Sequence, residues 1–344
     1  MRSVVRGFTL RLAFVLILVS ACGNGDEARG GLDEPCHPSN TCDDPYVCED
    51  GLCVVVEPDC PVDKDCTGRE CGPDPVCEES CGTCPSGQSC DDSGQCYAWS
   101  CGDDCGEMVT VPGGPFMMGC NEAVDTECLD TQHPYHEVNV PSFEIDKYPV
   151  TVALYRECMD AVAGCLEPTV HSSCNWQHPD RDDHPVNCLR WHQARRYCEW
   201  AGKRLCSEAE WEKAARGTDG RKYSWGNEPV SCEYAVFNEG GEPADRGCGE
   251  GGTWPVGSKP LGVSPYGALD MSGNVREWVE DDWHSSYEDA PTDGSAWVDE
   301  PRAHFRVLRG GGFWSTARGV RASARSNMNP DDGSYSYLGA RCCR

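Results

Sequence analysis

Cysteine is the residue type with most chemistry to offer in this chain, at 27 of 344 residues. Thiols serve as metal ligands, nucleophiles or crosslinks, and spacing decides which. A zinc ribbon needs two paired CxxC knuckles. Cys81-Gly82-Thr83-Cys84 is a single pair with no second at ribbon spacing, so crosslinking is the expectation. Four other groups of side chains could act. His133 and His136 bracket Pro134-Tyr135; the pair could suggest a metal, but a strand-edge surface role is expected. Glu280-Asp281-Asp282 reads as a solvated acidic run. Ser315 carries a nucleophile's hydroxyl, but no histidine lies nearby in sequence to activate it. Trp314, Arg318, Arg321 and Arg325 could meet a ligand, since arginine can hold a carboxylate bidentately. The same four could form a packed Arg/Trp ladder beneath the loops, and the sequence leaves both readings open.

Short elements must position these groups. Val109 to Gly119 reads as two short strands around a turn. His136–Val140 and Phe143–Asp146 alternate apolar and polar residues, which predicts strands. Thr151, after Pro149, predicts the N-cap of a helix over Val152–Ala161. A second helix is predicted over Leu189–Ala201, closed by Gly202. Ser207-Glu208-Ala209-Glu210 is a capping box that opens a third helix, ended by Gly217 after Arg216. Glycines, prolines, short strands and long loops follow. The fold class is therefore α+β, dominated by loops.

The N-terminal third has a different character. Arg2, Arg6 and Arg11 precede an apolar run from Leu12 to Val19, too short to span a bilayer comfortably, so residues 1–21 read as a signal peptide. Val19-Ser20-Ala21-Cys22 resembles a bacterial lipobox, which implies cleavage at Cys22 and its acylation. Several acyl chains make a stable anchor. An ordinary secretory signal with Cys22 incidental is the alternative. Residues 22–35 are polar and Gly-rich, a flexible tether. Residues 36–105 hold 14 cysteines and few large apolar side chains, so crosslinks must replace a core there. Setting Cys22 aside leaves an even 26 of the 27 cysteines, which suits disulfides in an oxidising compartment. A net charge of −28 argues against nucleic acid as a partner. The expected location is a bacterial cell envelope, periplasm-facing or on the cell surface, with membrane contact through the lipid anchor only.

From residue 106 the order of motifs resembles a known family. Gly113-Gly114-Pro115-Phe116-Met117-Met118-Gly119 is similar to its opening GGxFxMG, and Tyr148-Pro149-Val150-Thr151 to its helix start. His184-Pro185-Val186-Asn187 through Trp191, Tyr197-Cys198-Glu199-Trp200-Ala201-Gly202-Lys203-Arg204-Leu205, Glu208 to Gly217, and Trp225-Gly226-Asn227 follow in order. So do Asp270 to Trp278, Arg309 to Phe313, and Leu338-Gly339-Ala340-Arg341-Cys342. Residues 106–344 thus resemble the formylglycine-generating enzymes (sulfatase-modifying factors). The resemblance implies a loop-rich variant of the C-type-lectin fold and says nothing of residues 23–105.

That family oxidises a cysteine in a C-x-P-x-R sulfatase peptide with oxygen, using copper(I) on two active-site cysteines. Copper(I) is soft and thiolates select it. The position of the first cysteine falls on Ser315, and that of the second on Val320 or, with a gap, Ala317. No cysteine lies between Cys248 and Cys342, so copper is not expected unless Cys342 or Cys343 moves into the site. The resemblance also implies a calcium loop with the side chains of Asp270 and Glu277 and the carbonyls of Gly273 and Val275; a polar turn leading to a buried Trp278 is the alternative. A second family calcium site is not carried over, because Val236 stands where its asparagine would be. The resemblance pairs Cys198 with Cys342. A further family disulfide would join the positions of Ala215 and Ala322, where both cysteines are missing together. Cys206–Cys343, Cys158–Cys165 and Cys232–Cys248 are expected in addition. The resemblance also implies that Trp314, Arg318, Arg321 and Arg325 could line the groove that takes peptide in that family, and the functional expectation is a module that binds a peptide, glycan or protein ligand. The alternatives are a true formylglycine-generating oxidase, or a copper-independent enzyme built on Ser315.

Overall fold

In the computed structural model the described residues are 106–161 and 165–344, with the backbone of six short strands upstream. The leader (1–21), Cys22, its tether (22–35) and the cysteine pairing of 36–105 lie outside them. Contacts divide the chain into two units, Met1–Asp65 with Pro75–Cys77, and Cys66–Asp74 with Glu78–Arg344. In the first, β1 (Val47–Glu49) pairs with β2 (Leu52–Val54). Glu49 faces Leu52 in this antiparallel register. In the second, β3 (Gly72–Pro73) pairs with β4 (Ser80–Gly82), and β5 (Gln88–Cys90) with β6 (Cys96–Ala98).

The rest of the second unit begins with β7 (Met108–Val111), β8 (Gly114–Met118), β9 (His136–Val140) and β10 (Phe143–Asp146). Helices α1 (Val152–Asp160) and α2 (Trp191–Trp200), strand β11 (Arg204–Leu205) and helix α3 (Glu208–Arg216) follow. After a long loop region come β12 (Arg276–Asp282), β13 (Arg306–Arg309), β14 (Arg325–Met328), β15 (Leu338–Ala340) and β16 (Cys342–Cys343). β8 and β9 form a hairpin of their own. One sheet runs β11-β16-β10-β7, the other β14-β13-β12-β15, with β12 and β15 parallel. Because β16 pairs with β10 and β11, the chain's last residues close the sheet that its first long strand began.

The local reasons are legible. Thr151 Oγ1 accepts from the Leu154 N–H at 3.2 Å and caps α1. Ser207 and Glu210 bond reciprocally across the first turn of α3. Helix α2 starts at Trp191, later than the expected Leu189, because Cys188 has a φ of 61° and breaks the backbone just before it. Its thiol is bonded to Cys174, which the sequence had not paired. Two apolar clusters fill the interior, one around Tyr155, Tyr197 and Trp278, the other around Val138, Ile145, Trp211 and Val307. Ala215 and Ala322 both pack fully buried in the second cluster.

Two bonds, Cys198–Cys342 and Cys206–Cys343, tie α2 and the end of β11 to the C-terminal strand. Cys158–Cys165 and Cys232–Cys248 close local loops, and Cys120–Cys128 is a further bond the sequence had not suggested. Every cysteine from residue 106 onward is engaged in a disulfide.

Candidate functional site

Ser315 sits in the loop between β13 and β14, and that loop is shaped by glycine. Gly311 has a φ of 68°, and a Cβ there would lie 2.4 Å from the Gly319 carbonyl oxygen, so no other residue fits. The turn closes on Ser315. Its N–H donates to the Gly312 carbonyl at 2.7 Å, and its Oγ accepts from the Gly312 N–H at 3.1 Å. Its own carbonyl accepts from the Asn238 N–H at 2.8 Å. The hydroxyl therefore works as a turn closure.

Beside it lies a cavity of about 280 Å³, lined by Gln132, Arg276, Gly311, Ser315, Thr316, Arg318, Gly319, Arg321, Arg325 and Ser326, with Leu129, Leu308 and Ala324. Among the described residues, none of those lining it is a Cys, His, Asp or Glu. Val320 and Ala317, the two positions considered for a second copper cysteine, pack instead with Tyr223, Ala235 and Phe237. Cys342 and Cys343 are held in β16 by their disulfides to α2 and β11, and offer no thiolate.

The groove arginines separate into two kinds. Arg325 is buried on Glu208, with Nε and Nη2 donating to the two carboxylate oxygens at 2.8 and 2.6 Å. Its remaining nitrogen donates to the Thr131 and His284 carbonyls, and its guanidinium lies against Trp283 and Tyr287. Arg321 is fully buried and ion-paired with Asp125. Burial pushes the Asp125 carboxyl up, but the hydrogen bond and charge of Arg321 outweigh it and hold it below the usual range. These two arginines are the packed ladder, and neither is free to take a ligand's carboxylate. Arg318 is exposed. Trp314, 44 % exposed, has the Arg246 guanidinium 3.6 Å from its ring centroid and Tyr337 at 5.9 Å.

Two lining residues had no functional role in the sequence reading. Arg276 opens β12, with its N–H donating to the Tyr337 carbonyl at 2.7 Å and Nη1 donating to Ser326 Oγ at 3.0 Å. No carboxylate pairs with it among the described residues. Burial holds its pKa below the ordinary arginine value. Gln132 is fully buried; its Oε1 accepts from the Leu129 N–H and from Arg321, while its Nε2 finds no partner among the described residues. Arg276 lay inside a recognised motif, but only the pairing of β12 with its neighbours places it at the cavity. Gln132 comes from a segment with no periodic signal.

Helix α3 underlies the site and is buried along its whole length despite five charged residues. Four of the charges are met by opposite ones, Glu208 by Arg325, Glu210 by Arg204, and Glu212 by Arg216 and Arg309, while Lys213 donates to the Gly114 carbonyl. The expected solvated run Glu280-Asp281-Asp282 is corrected here. Asp281 and Asp282 are buried. Asp282 is ion-paired to Arg302 and Arg306, and Asp281 accepts from the N–H groups of Glu208 and Trp297 at 2.7 and 2.8 Å. Satisfying partners supplied from distant loops make the burial affordable. His136 Nδ1 lies 2.9 Å from the Pro134 carbonyl, and His133 lies 3.6 Å from a carboxylate oxygen of Glu122.

In the loop entering β12, Asp270 and Asn274 both adopt positive φ, at 58° and 60°. Asn274 exchanges hydrogen bonds with the backbone of Trp254. Asp270 is buried, accepts from the Gly257 N–H at 2.7 Å, and has no ion-pair partner within reach among the described residues. Burial raises its pKa despite that bond and the field of Arg341. Glu277 is committed differently: Arg341 Nε lies 3.0 Å from both its oxygens, and Trp211 Nε1 donates to Oε2 at 2.6 Å. Trp278 is fully buried and donates to the Leu189 carbonyl.

Residues 98–344 match the family model described as "Sulfatase-modifying factor enzyme 1-like domain". The chain is 34% identical to hercynine oxygenase from Mycolicibacterium smegmatis, over 65% of this chain and 58% of that protein. It is 32% identical to the formylglycine-generating enzyme of Bos taurus, over 69% of this chain and 74% of that enzyme. Among solved structures it resembles PvdO from Pseudomonas aeruginosa, with a TM-score of 0.61 and 28% identity, covering 72% of this chain and 97% of that one. The loop-rich mixture of helix and sheet described above is thus a formylglycine-generating-enzyme-like, C-type-lectin-related fold.

Proposed function

The chain belongs to the sulfatase-modifying factor enzyme 1-like family, and from that premise we propose that it binds a ligand in the cavity beside Ser315 without copper-dependent cysteine oxidation. One observation supports the reading: among the described residues no thiolate lines the cavity, and Ser315, which the family resemblance aligns with the first copper cysteine, has its hydroxyl tied into its own turn. A hydroxyl cannot replace a thiolate for copper(I). The residues present do not fit that ion, and no oxidative step is built on it. A Ser315 nucleophile has equally little support, because the lining supplies no general base. Incubating the full chain with oxygen and a C-x-P-x-R peptide, with and without copper, tests this. No conversion of the peptide cysteine is expected, and formylglycine in the product would overturn the proposal.

Calcium is part of the same proposal, as a structural ion. What supports it is a set of hard oxygens, which calcium prefers: Asp270 is buried with no ion-pair partner among the described residues, and the loop that carries the Gly273 and Val275 carbonyls takes positive φ at Asp270, Gly273 and Asn274. Glu277 would contribute only a lone pair left over from Arg341 and Trp211, since a carboxylate has about four acceptor sites. The ion would fix the turn that aims Arg276.

In this reading the chain is exported and held at a bacterial membrane surface by an acylated Cys22, with residues 36–105 as a crosslinked spacer or recognition module. Mass spectrometry of the N-terminal peptide from membrane fractions checks it. A peptide beginning at acylated Cys22 is expected, and one retaining residues 1–21 refutes it. Among the described residues no helix is long and apolar enough to cross a membrane.

A further inference from the structure

We propose that the group seated in the cavity beside Ser315 is a carboxylate, held by the Arg276 guanidinium and the Gln132 side-chain amide. This rests on the reading of that cavity as a ligand site and names the chemistry it takes. Two independent observations point there. Arg276 is a largely desolvated cation with no carboxylate partner among the described residues, whereas the neighbouring Arg321 and Arg325 are each neutralised by Asp125 and Glu208. Gln132 Nε2 is a fully buried donor with nothing to donate to, while its oxygen is used twice. A partly buried charge without a counter-charge and an orphan buried donor both cost stability, and one bound acceptor with a negative charge relieves both.

The form of the site selects among anions. One desolvated guanidinium matches a planar monoanion through its two-pronged donor edge. A phosphate dianion would call for more positive charge than Arg276 and the exposed Arg318 supply, and it would approach a chain of net charge −28 against repulsion. The cavity, about 280 Å³, is small for a whole ligand, so the rest of the molecule must lie outside it. Aromatic surface is available there: Tyr337, its ring 5.4 Å from the Arg276 guanidinium, stacks with Tyr335, and Trp314 lies beside it. Trp314 and Tyr335 are 44 % and 39 % exposed. The ligand class is therefore an acid attached to an apolar or aromatic body, either a free acylated amino acid or an acidic group of a peptide.

The test titrates the full chain with N-acetyl-phenylalanine, its N-methylamide, N-acetyl-aspartate N-methylamide and inorganic phosphate, read by chemical shift or thermal shift. Binding of one or both acids is expected. The α-acid and the side-chain acid distinguish a terminal carboxylate from an internal one. The neutral amide of phenylalanine should bind roughly ten- to a hundredfold more weakly, the loss expected for one charge-assisted hydrogen-bonded pair. Arg276→Gln should cause the same loss with no fall in melting temperature, because the arginine pairs with no internal carboxylate. Thr316→Trp, at an exposed lining position, should block all binding. If the amide binds as well as the acid and Thr316→Trp still blocks it, the carboxylate assignment falls and the ligand site stands. If nothing binds at millimolar concentration, or binding ignores Thr316→Trp, both fall. Phosphate binding more tightly than either acid overturns the assignment, as does an Arg276→Gln protein that binds the acids normally.

Discussion

Replacing Arg325 by alanine separates a structural arginine from a ligand-binding one. Its guanidinium makes a two-pronged bond to Glu208 at 2.8 and 2.6 Å, with both side chains almost wholly buried. Removing it leaves the Glu208 carboxylate with the Arg309 guanidinium at 3.5 Å and the Tyr287 hydroxyl at 3.0 Å as its remaining close partners. Breaking one side of a buried pair costs about 3–5 kcal/mol. Losing the contacts with Trp283 and Tyr287 adds about 0.5–2 kcal/mol. In a domain of this size each kcal/mol lowers the melting temperature by about 2–4 °C, so a fall of roughly 7–28 °C is expected. Calorimetry on the full chain measures it. The double variant Glu208→Gln/Arg325→Met should recover part of the loss, because no charge is then left unpaired. A single Arg325→Ala protein that melts like the wild type but no longer binds acids would refute this reasoning and return Arg325 to the groove. Arg318→Ala, at an exposed position, should change stability by no more than about 0.5 kcal/mol.

Burial, with Glu208 adding to it, pushes the Asp281 carboxyl up to about 8. Its folded pKa exceeds the unfolded one, so the folded state holds the extra proton between about pH 4 and pH 8 and stability falls as pH rises through that window, by a few kcal/mol in order of magnitude. Urea midpoints across that range should show the decline, and Asp281→Asn should flatten it; an unchanged slope in the variant contradicts the assignment. The bonds Cys198–Cys342 and Cys206–Cys343 span 144 and 137 residues but lie side by side. With either one intact, the other closes only a short loop, so losing one should cost about 3 kcal/mol and losing both about 8 kcal/mol. Simple additivity in serine variants would count against the nested-loop argument. Saturating calcium should raise the melting temperature of the full chain, and Asp270→Asn should abolish that rise. A melting temperature indifferent to calcium and chelator removes the proposed ion.

Much of the frame is written locally. Thr151, Ser207, Glu210 and Gly202 mark helix ends because a cap needs only residues within one turn of itself. Alternation in His136–Val140 foretells a strand for the same reason. The ordered motifs from Gly113 to Cys342 fixed the family, since each records a local backbone need in sequence. The absence of a cysteine between Cys248 and Cys342 was likewise plain without coordinates.

What a charged side chain does is another matter, because it depends on the partner that packing brings to it. Arg321, Arg325 and Arg276 look alike along the chain. Two of them meet a buried carboxylate, Asp125 and Glu208, from segments far away in sequence, and one meets, among the described residues, a serine hydroxyl and a tyrosine ring but no carboxylate. Asp281 and Asp282 read as solvated until β12 carried them inward to backbone N–H groups and arginines from a distant loop. The sequence by itself determined where helices cap, how strands alternate and where cysteines fall along the chain. Tertiary structure alone decided which charges are neutralised, because Coulomb energy in a desolvated interior is set by distance in space and not by order along the chain.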